Sequence, residues 1–347
     1  MGVTMRELAK LAGVSPATVS LSLRDHPRIS REVRERVKAI AAKTGYRPNP
    51  IVAHLIAQVR ASKTTTYQST LGAVLTTELR RCLEVHTFRD WLASCKKRAA
   101  ELGYGFNAFS LPDAKQTPER LAKVLDARRV QGLVVIGPFP RGVIPAEFDP
   151  LWQRTSAVML GERPVSPTLS CVLNNQFSTS ILAVGELTRL GYRRPALCIN
   201  PDIDGALENR FIGGFLVAAQ ATPARRRIPP FPFHAHARAD FLQWVEKHRP
   251  DAIVTLHHEI REWLEAAGHA IPGDIGLAHL DWTPKLEGWA GTDQNNALVG
   301  SFAIEMLIGQ LHRNEFGPPE FQKCMFTNSS WRSGPSVRAV PPVGGVE

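Results

Sequence analysis

Few stretches of this chain have side chains suited to chemistry, and the richest is His257-His258-Glu259, followed further on by Asp281. Two neutral imidazoles and two carboxylates could hold a divalent cation or move protons. Adjacent residues at a strand end point to opposite faces, however, so His257 and His258 cannot easily ligate one metal. His234-Ala235-His236 is similarly short of further ligands. The chain has no GxxxxGK[ST] or GxGxxG phosphate loop and no GxSxG nucleophile elbow, which leaves an enzyme reading with little support. Five cysteines, Cys82, Cys95, Cys171, Cys198 and Cys324, are odd in number, far apart and without a CxxC pair. That pattern argues against a disulfide framework or zinc site and predicts reduced, buried thiols in a cytoplasmic protein. Neither a metal nor another cofactor is expected.

The elements that must position any ligand-contacting groups begin with a basic module. Of the net charge of +10, residues 1–63 carry +8, with 12 Lys/Arg against 4 Asp/Glu, and the remaining residues carry +2. A compact basic unit on a nearly neutral body suits a polyanion, since phosphate neutralisation drives association with nucleic acid. At 347 residues the chain exceeds the size of a single core, and its 44% hydrophobic and 21% charged content is that of a folded protein. No apolar run approaches the roughly 18 residues of a membrane span, and the N-terminus shows capping chemistry in place of an apolar leader, so no membrane association is expected.

Thr4-Met5-Arg6-Glu7 fits a capping box, predicting a helix from about Met5 with Leu8, Leu11 and Ala12 as its apolar stripe and Gly13 as its stop. Ser15-Pro16 then supplies an N-cap and an N1 proline for a second short helix, with Val19 and Leu23 turned inward. A third helix is predicted from about Arg31 to Lys43, capped by Ser30, ended by Gly45 and packed through Val33, Val37, Ile40 and Ala41. Helix, glycine-containing turn and capped second helix form a helix-turn-helix pattern, whose second helix offers its N-terminal side chains to the major groove.

The segment VTMRELAKLAGVSPATVSLSLRDHPRISREVRERVKAIAAKTGYRPN resembles the headpiece of the lactose-repressor (LacI) family. That resemblance implies base reading by Pro16 and Ala17, with Thr4, Ser15, Thr18, Ser20, Arg28, Ser30, Tyr46 and Asn49 touching or supporting DNA backbone. Leu21 stands where the family usually has Arg, and Arg24 where Asn is common, so contacts there are moved or lost. Small apolar readers favour thymine methyls and DNA shape over bidentate hydrogen bonds. Asn49-Pro50 opens a further short helix with apolar residues at 51, 52, 55, 56 and 59, and the likeness puts Leu55 at the position that wedges into the minor groove. Residues 61–66 read as a linker.

From residue 71 short apolar runs alternate with amphipathic stretches, as βαβ units require. Strands are expected at 71–76, 105–111, 132–136, 157–160, 196–200, 252–256 and 275–280, and helices at 91–102, 118–127, 177–190, 210–220 and 240–248. LGYRRPALCI, ENRFIGGFLVAA and IPGDIGLAHLD are similar to the sensor of the same family. The expected architecture is an all-α helix-turn-helix DNA-binding headpiece (1–49), a hinge helix and linker (50–66), and an α/β two-lobed sensor like periplasmic binding proteins (67–340). By the likeness Arg210 and Asp281 contact an effector, with His257, Gln294 and Thr77 beside them. Gly161 in place of an acid, His257-His258 in place of Asn-Asp and Asn174-Asn175 in place of Asp-Asn depart from sugar-binding relatives. The resemblance implies a cytoplasmic regulator, of repressor type, that binds double-stranded operator DNA as a homodimer under control of a small polar effector, which either releases DNA or recruits it. Two alternatives share parts of the pattern: a transport component with the same sensor fold, and a DNA-coating protein with no use for a cleft.

Overall fold

In a computed structural model the described residues are 5–23, 29–44, 69–76, 78–111, 117–137, 139 and 142–339. The headpiece has α1 (Met5–Ala12), α2 (Pro16–Ser22) and α3 (Arg31–Thr44). Gly13 follows α1 at φ +65°, a backbone setting that an L side chain resists. The Ser15 hydroxyl accepts the Thr18 N–H at 3.1 Å, and Pro16 fills N1. Leu8, Ala9, Ala12, Val19, Val37 and Ala41 make the small core, with Leu23, Val33 and Ile40 packed against it. Leu11, expected in the apolar stripe, is 59% exposed. At 3.6 residues per turn it lies roughly 110° from the middle of the arc set by Leu8, Ala9 and Ala12, so Ala9 takes the inward place.

The body is built on two six-stranded sheets. In the first the order is β11-β5-β4-β3-β1-β2, with β1 (Thr70–Leu75), β2 (Gly105–Ser110), β3 (Gly132–Ile136), β4 (Ser156–Leu160), β5 (Ser170–Asn174) and β11 (Cys324–Thr327) all parallel. In the second the order is β12-β10-β9-β8-β6-β7, with β6 (Pro195–Ile199), β7 (Phe231–Pro232), β8 (Ala252–Thr255), β9 (Gly276–His279) and β10 (Ala290–Asp293) parallel, and β12 (Ser330–Arg332) antiparallel to β10. Strands β3, β4, β5 and β6 are buried along their whole length, because helices cover both faces.

The remaining helices are α4 (Leu79–Glu84), α5 (His86–Glu101), α6 (Pro118–Ala127), α7 (Asp149–Trp152), α8 (Gln176–Arg189), α9 (Pro201–Ala206), α10 (Arg210–Ala219), α11 (Arg238–His248), α12 (Glu259–Ala266) and α13 (Asn296–Arg313). Helices α5 and α13 cover one face of the first sheet, and α6 and α7 cover the other. The second sheet lies between α8 with α10 and α11 with α12. The expected helix at 91–102 starts five residues earlier, which brings His86 and Thr87 into its first turn. Strands β5, β7, β10, β11 and β12 and helices α4, α7, α9, α12 and α13 are not among the elements expected from the sequence.

The chain passes between the lobes three times: from β5 into α8, from β10 back into α13, and from β11 into β12. Asparagines lace these passages together. Asn174 Nδ2 donates to the Gln294 carbonyl (2.9 Å) and to Asn296 Oδ1 (3.1 Å). Asn175 Nδ2 donates to Asn328 Oδ1 and Asn295 Nδ2 to the Asn328 carbonyl, both at 2.9 Å. Short amides suit a hinge, since each both donates and accepts without carrying a charge that burial would penalise.

Candidate functional site

In the headpiece, α2 starts at the capped Ser15, and the Ser15 and Thr18 hydroxyls lie 2.9 Å apart on its outer first turn. Ser15 and Ser30 are exposed, and Thr18 and Leu21 are half-buried. Thr4, Arg24, Arg28, Tyr46, Asn49 and Leu55 lie outside the described residues, as do the side chains of Pro16, Ala17 and Ser20 and the whole expected hinge helix and linker.

Between the lobes, groups gather at the C-terminal ends of the strands, where open α/β sheets take ligands. Asp281 follows β9 and is 5% exposed. One of its oxygens accepts from Thr87 Oγ1 (2.9 Å) and lies 2.8 Å from His86 Nε2, while the other accepts from Asn296 Nδ2 (3.1 Å). A carboxylate of the second lobe is thus held by the first turns of α5 and α13, which belong to the first. Burial works against a charge on His86, but the hydrogen bond and attraction from Asp281 outweigh it, with smaller effects from Asp90 in favour and Arg89 against, and its pKa is raised. Beneath, His279 Nδ1 accepts the Asp281 N–H (3.1 Å) and its Nε2 faces the Leu256 carbonyl (3.1 Å), so the ring is neutral and fixes where Asp281 sits. Burial pushes its pKa down to about 4.

His257 ends β8. Its Nε2 accepts the Asn200 N–H (3.0 Å), its ring stacks on Phe233 at 3.6 Å between centroids, and burial lowers its pKa to about 4. It is a neutral acceptor, 9% exposed, whereas the His258 side chain is 66% exposed and pairs loosely with Glu259. The two imidazoles diverge, and among the described residues no group of three or more His, Cys, Asp or Glu could hold a metal.

Arg210 opens α10 with only 13% of its side chain exposed. It pairs with Glu208, which also pairs with Arg163 from the other lobe, and its guanidinium lies 5.0 Å over the Phe326 ring of β11. Glu208 and Asn209 hold this turn at positive φ. Gln294 lies in the second passage, 5% exposed, with its side-chain oxygen buried and unpartnered. Thr77 is outside the described residues.

The sequence reading missed three residues of this cleft. His86 and Thr87 precede the expected helix at 91–102, and Trp91 merely begins it. Trp91 explains the unusual Gly161: that glycine, at φ +83°, directly follows β4, and a Cβ on it would lie 2.2 Å from the indole. The ring therefore fills the space beside Gly161, with its Nε1 buried and unpartnered. Next to it, Glu162 accepts the Phe139 N–H at 3.2 Å, and burial raises its pKa to about 7. A glycine among strand-end polar residues was the only available signal.

The expectation of well-separated, buried cysteines needs correction. Cys82, Cys95, Cys171 and Cys198 are buried, but Cys324 is exposed and its Sγ lies 3.2 Å from Cys171 Sγ. Parallel pairing of β5 with β11 brings together residues distant in sequence.

Comparison with known proteins places residues 4–49 in the family described as "Bacterial regulatory proteins, lacI family". The chain is 24% identical over 328 residues to the HTH-type transcriptional regulator MalR of Streptococcus pneumoniae, covering 91% of this chain and 94% of that protein. It is 30% identical over 202 residues to the lactose operon repressor of Escherichia coli, covering 57% of this chain and 51% of that one. The crystal structure of the Lac repressor dimer bound to operator and the anti-inducer ONPF superposes with a TM-score of 0.56 at 21% identity, over 98% of this chain and 100% of that chain. That likeness establishes the common fold, with an N-terminal helix-turn-helix and an α/β two-lobed body.

Proposed function

We propose that this chain, a regulator of the lacI family, binds operator DNA through its headpiece as a homodimer and that a small polar effector between the lobes sets its operator affinity. The observation that carries the reading is the combination of a family-matched headpiece over residues 4–49 with a body whose cleft residues come from both lobes and whose lobes join through a hydrogen-bonded hinge. The solved relative in complex with operator and anti-inducer uses the same fold, and the relatives are named as transcriptional regulators. The division into headpiece (1–49), hinge (50–66) and sensor (67–340) belongs to this proposal. So do the roles of Thr4, Ser15, Pro16, Ala17, Thr18, Ser20, Leu21, Arg24, Arg28, Ser30, Tyr46, Asn49 and Leu55 toward DNA, and of Thr77, Arg210, His257, Asp281 and Gln294 toward effector.

A closed cleft ties α5 to Asp281 and Arg163 to Glu208, so an effector that recruits or replaces those contacts changes the angle between the lobes. Coupling of about 1 to 3 kcal/mol between cleft and DNA is the usual range. No helix of the described residues is long and apolar enough to cross a membrane. The protein acts in the cytoplasm, where its DNA is, as a regulator without catalysis.

Selection of random duplex DNA by the full-length protein tests the reading, repeated with Leu55→Ala and with residues 1–63 removed. A palindrome that weakens with Leu55→Ala and vanishes on truncation supports it. Enrichment by the truncated body, or none by the full chain with or without added sugars, sugar acids and nucleosides, refutes it.

A further inference from the structure

We propose that Cys171 and Cys324 are a reversible oxidation site, at which a hydroperoxide converts two thiols into a disulfide that ties together two of the three strands leading from one lobe to the other. The two residues are register partners on neighbouring parallel strands, with Sγ atoms 3.2 Å apart. Adjacent strands run about 4.8 Å apart, inside the Cα separation that a disulfide spans, and closing the sulfurs to about 2.05 Å requires a shift of roughly 1 Å. β11 is an edge strand and can supply it. Each cysteine stands three residues before the end of its strand, where the chain leaves the first lobe.

Exposure decides the order of events. Cys324 is open to solvent, while Cys171 is fully buried, and burial keeps it in the thiol form, with the nearby Arg163 and Arg210 guanidiniums only partly offsetting this. The Cys324 thiolate attacks one peroxide oxygen, the O–O bond breaks, and a sulfenic acid forms with release of water or an alcohol. Cys171 Sγ then attacks Cys324 Sγ, the S–O bond breaks, and the departing hydroxide leaves as water with the Cys171 proton. Two thiols lose two electrons and two protons, and the peroxide takes them up.

The location gives the bond a consequence. Phe326, two residues beyond Cys324 and therefore on the same face of β11, seats the Arg210 guanidinium of the other lobe. Residues 328 and 329 form the third passage, where Asn328 accepts from Asn175 and Asn295 and the Ser329 hydroxyl lies 2.6 Å from that of Thr179. A disulfide between β5 and β11 therefore fixes the first and third passages to each other.

The test treats reduced full-length protein with hydrogen peroxide and maps the peptides without reductant. The expected result is a Cys171 peptide joined to a Cys324 peptide with loss of two hydrogens, and free thiols falling from five to three per chain, both reversed by dithiothreitol. Cys324→Ser, a surface change, abolishes the link. Amide exchange at residues 327–330 becomes slower in the linked protein and is unchanged in peroxide-treated Cys324→Ser. Oxidation of Cys324 to sulfinic acid without linkage, or its linkage to Cys324 of a second copy, overturns the site. A linked protein whose passages exchange as fast as before overturns its effect on the hinge.

Discussion

Replacing Asp281 by Asn tests how the lobes are held together. The carboxylate takes up a hydroxyl, an amide and an imidazole from the other lobe. An amide offers one acceptor and one donor, so whichever way it turns, one end faces groups that donate. A hydrogen bond to a charged group is worth about 1.5 to 3 kcal/mol net, and with the His86 side chain 31% exposed the lower end applies, so a loss of about 2 kcal/mol is expected. The protonation of His86 gives a sharper readout. Burial lowers its pKa, but the hydrogen bond and attraction from Asp281, with a smaller pull from Asp90, raise it overall. In Asp281→Asn the burial remains and the attraction goes, so the His86 pKa falls below the ordinary 6.5. The stability linkage changes sign with it. With a raised folded value, the contribution of His86 is complete below the unfolded pKa and is lost as pH rises through the folded one; with a depressed value, stability is instead lost as pH falls. NMR titration of the imidazole Cε1–H signals, with urea unfolding at several pH values, measures both. A His86 that still titrates above its ordinary value in the variant, or a stability change under about 0.5 kcal/mol, refutes the account of this contact.

Acid sensitivity should be traceable to the buried imidazoles. His279, at about 4 when folded against 6.5 unfolded, withdraws stability as pH falls below 6.5, about 2 kcal/mol by pH 5. Glu162, at about 7, works in the opposite direction over this window, so the comparison is between native protein and His279→Gln, whose loss of stability on acidification should be smaller. Ser15→Ala removes the cap of α2 and should cost the headpiece about 1 kcal/mol, seen as a lower first transition in calorimetry of the full chain. Gly161→Ala puts a Cβ 2.2 Å from the Trp91 ring at positive φ and should cost about 2 to 4 kcal/mol, a loss that Trp91→Ala in the same chain should not fully relieve because the backbone strain persists. Equal stability of Gly161→Ala and the native protein in urea would contradict that packing.

Local chemistry was legible in the sequence. Ser15-Pro16, Gly13 and the stripe through Val37 and Ala41 specify the headpiece helices because capping and periodicity act within a few residues. The strands β1, β3, β4 and β8 show as apolar runs because parallel strands covered on both faces need apolar side chains in both directions. The late strands are different: β11 carries three exposed residues in Cys324, Met325 and Phe326 and has no buried run to announce it. Leu11 shows the limit within one helix, since which apolar residue turns inward depends on where α2 and α3 pack. The cleft was partly legible, because Asp281, Arg210 and His257 stand at strand or helix ends, but their neighbours were not. His86 meets Asp281 across 195 positions of sequence, Cys171 meets Cys324 across 153, and Trp91 of α5 meets Gly161 just past the end of β4. Short-range propensity determined the headpiece helices and the buried central strands, and the three passages between the lobes decided which distant residues share a site, because only the closed chain brings them within reach of one another's hydrogen bonds.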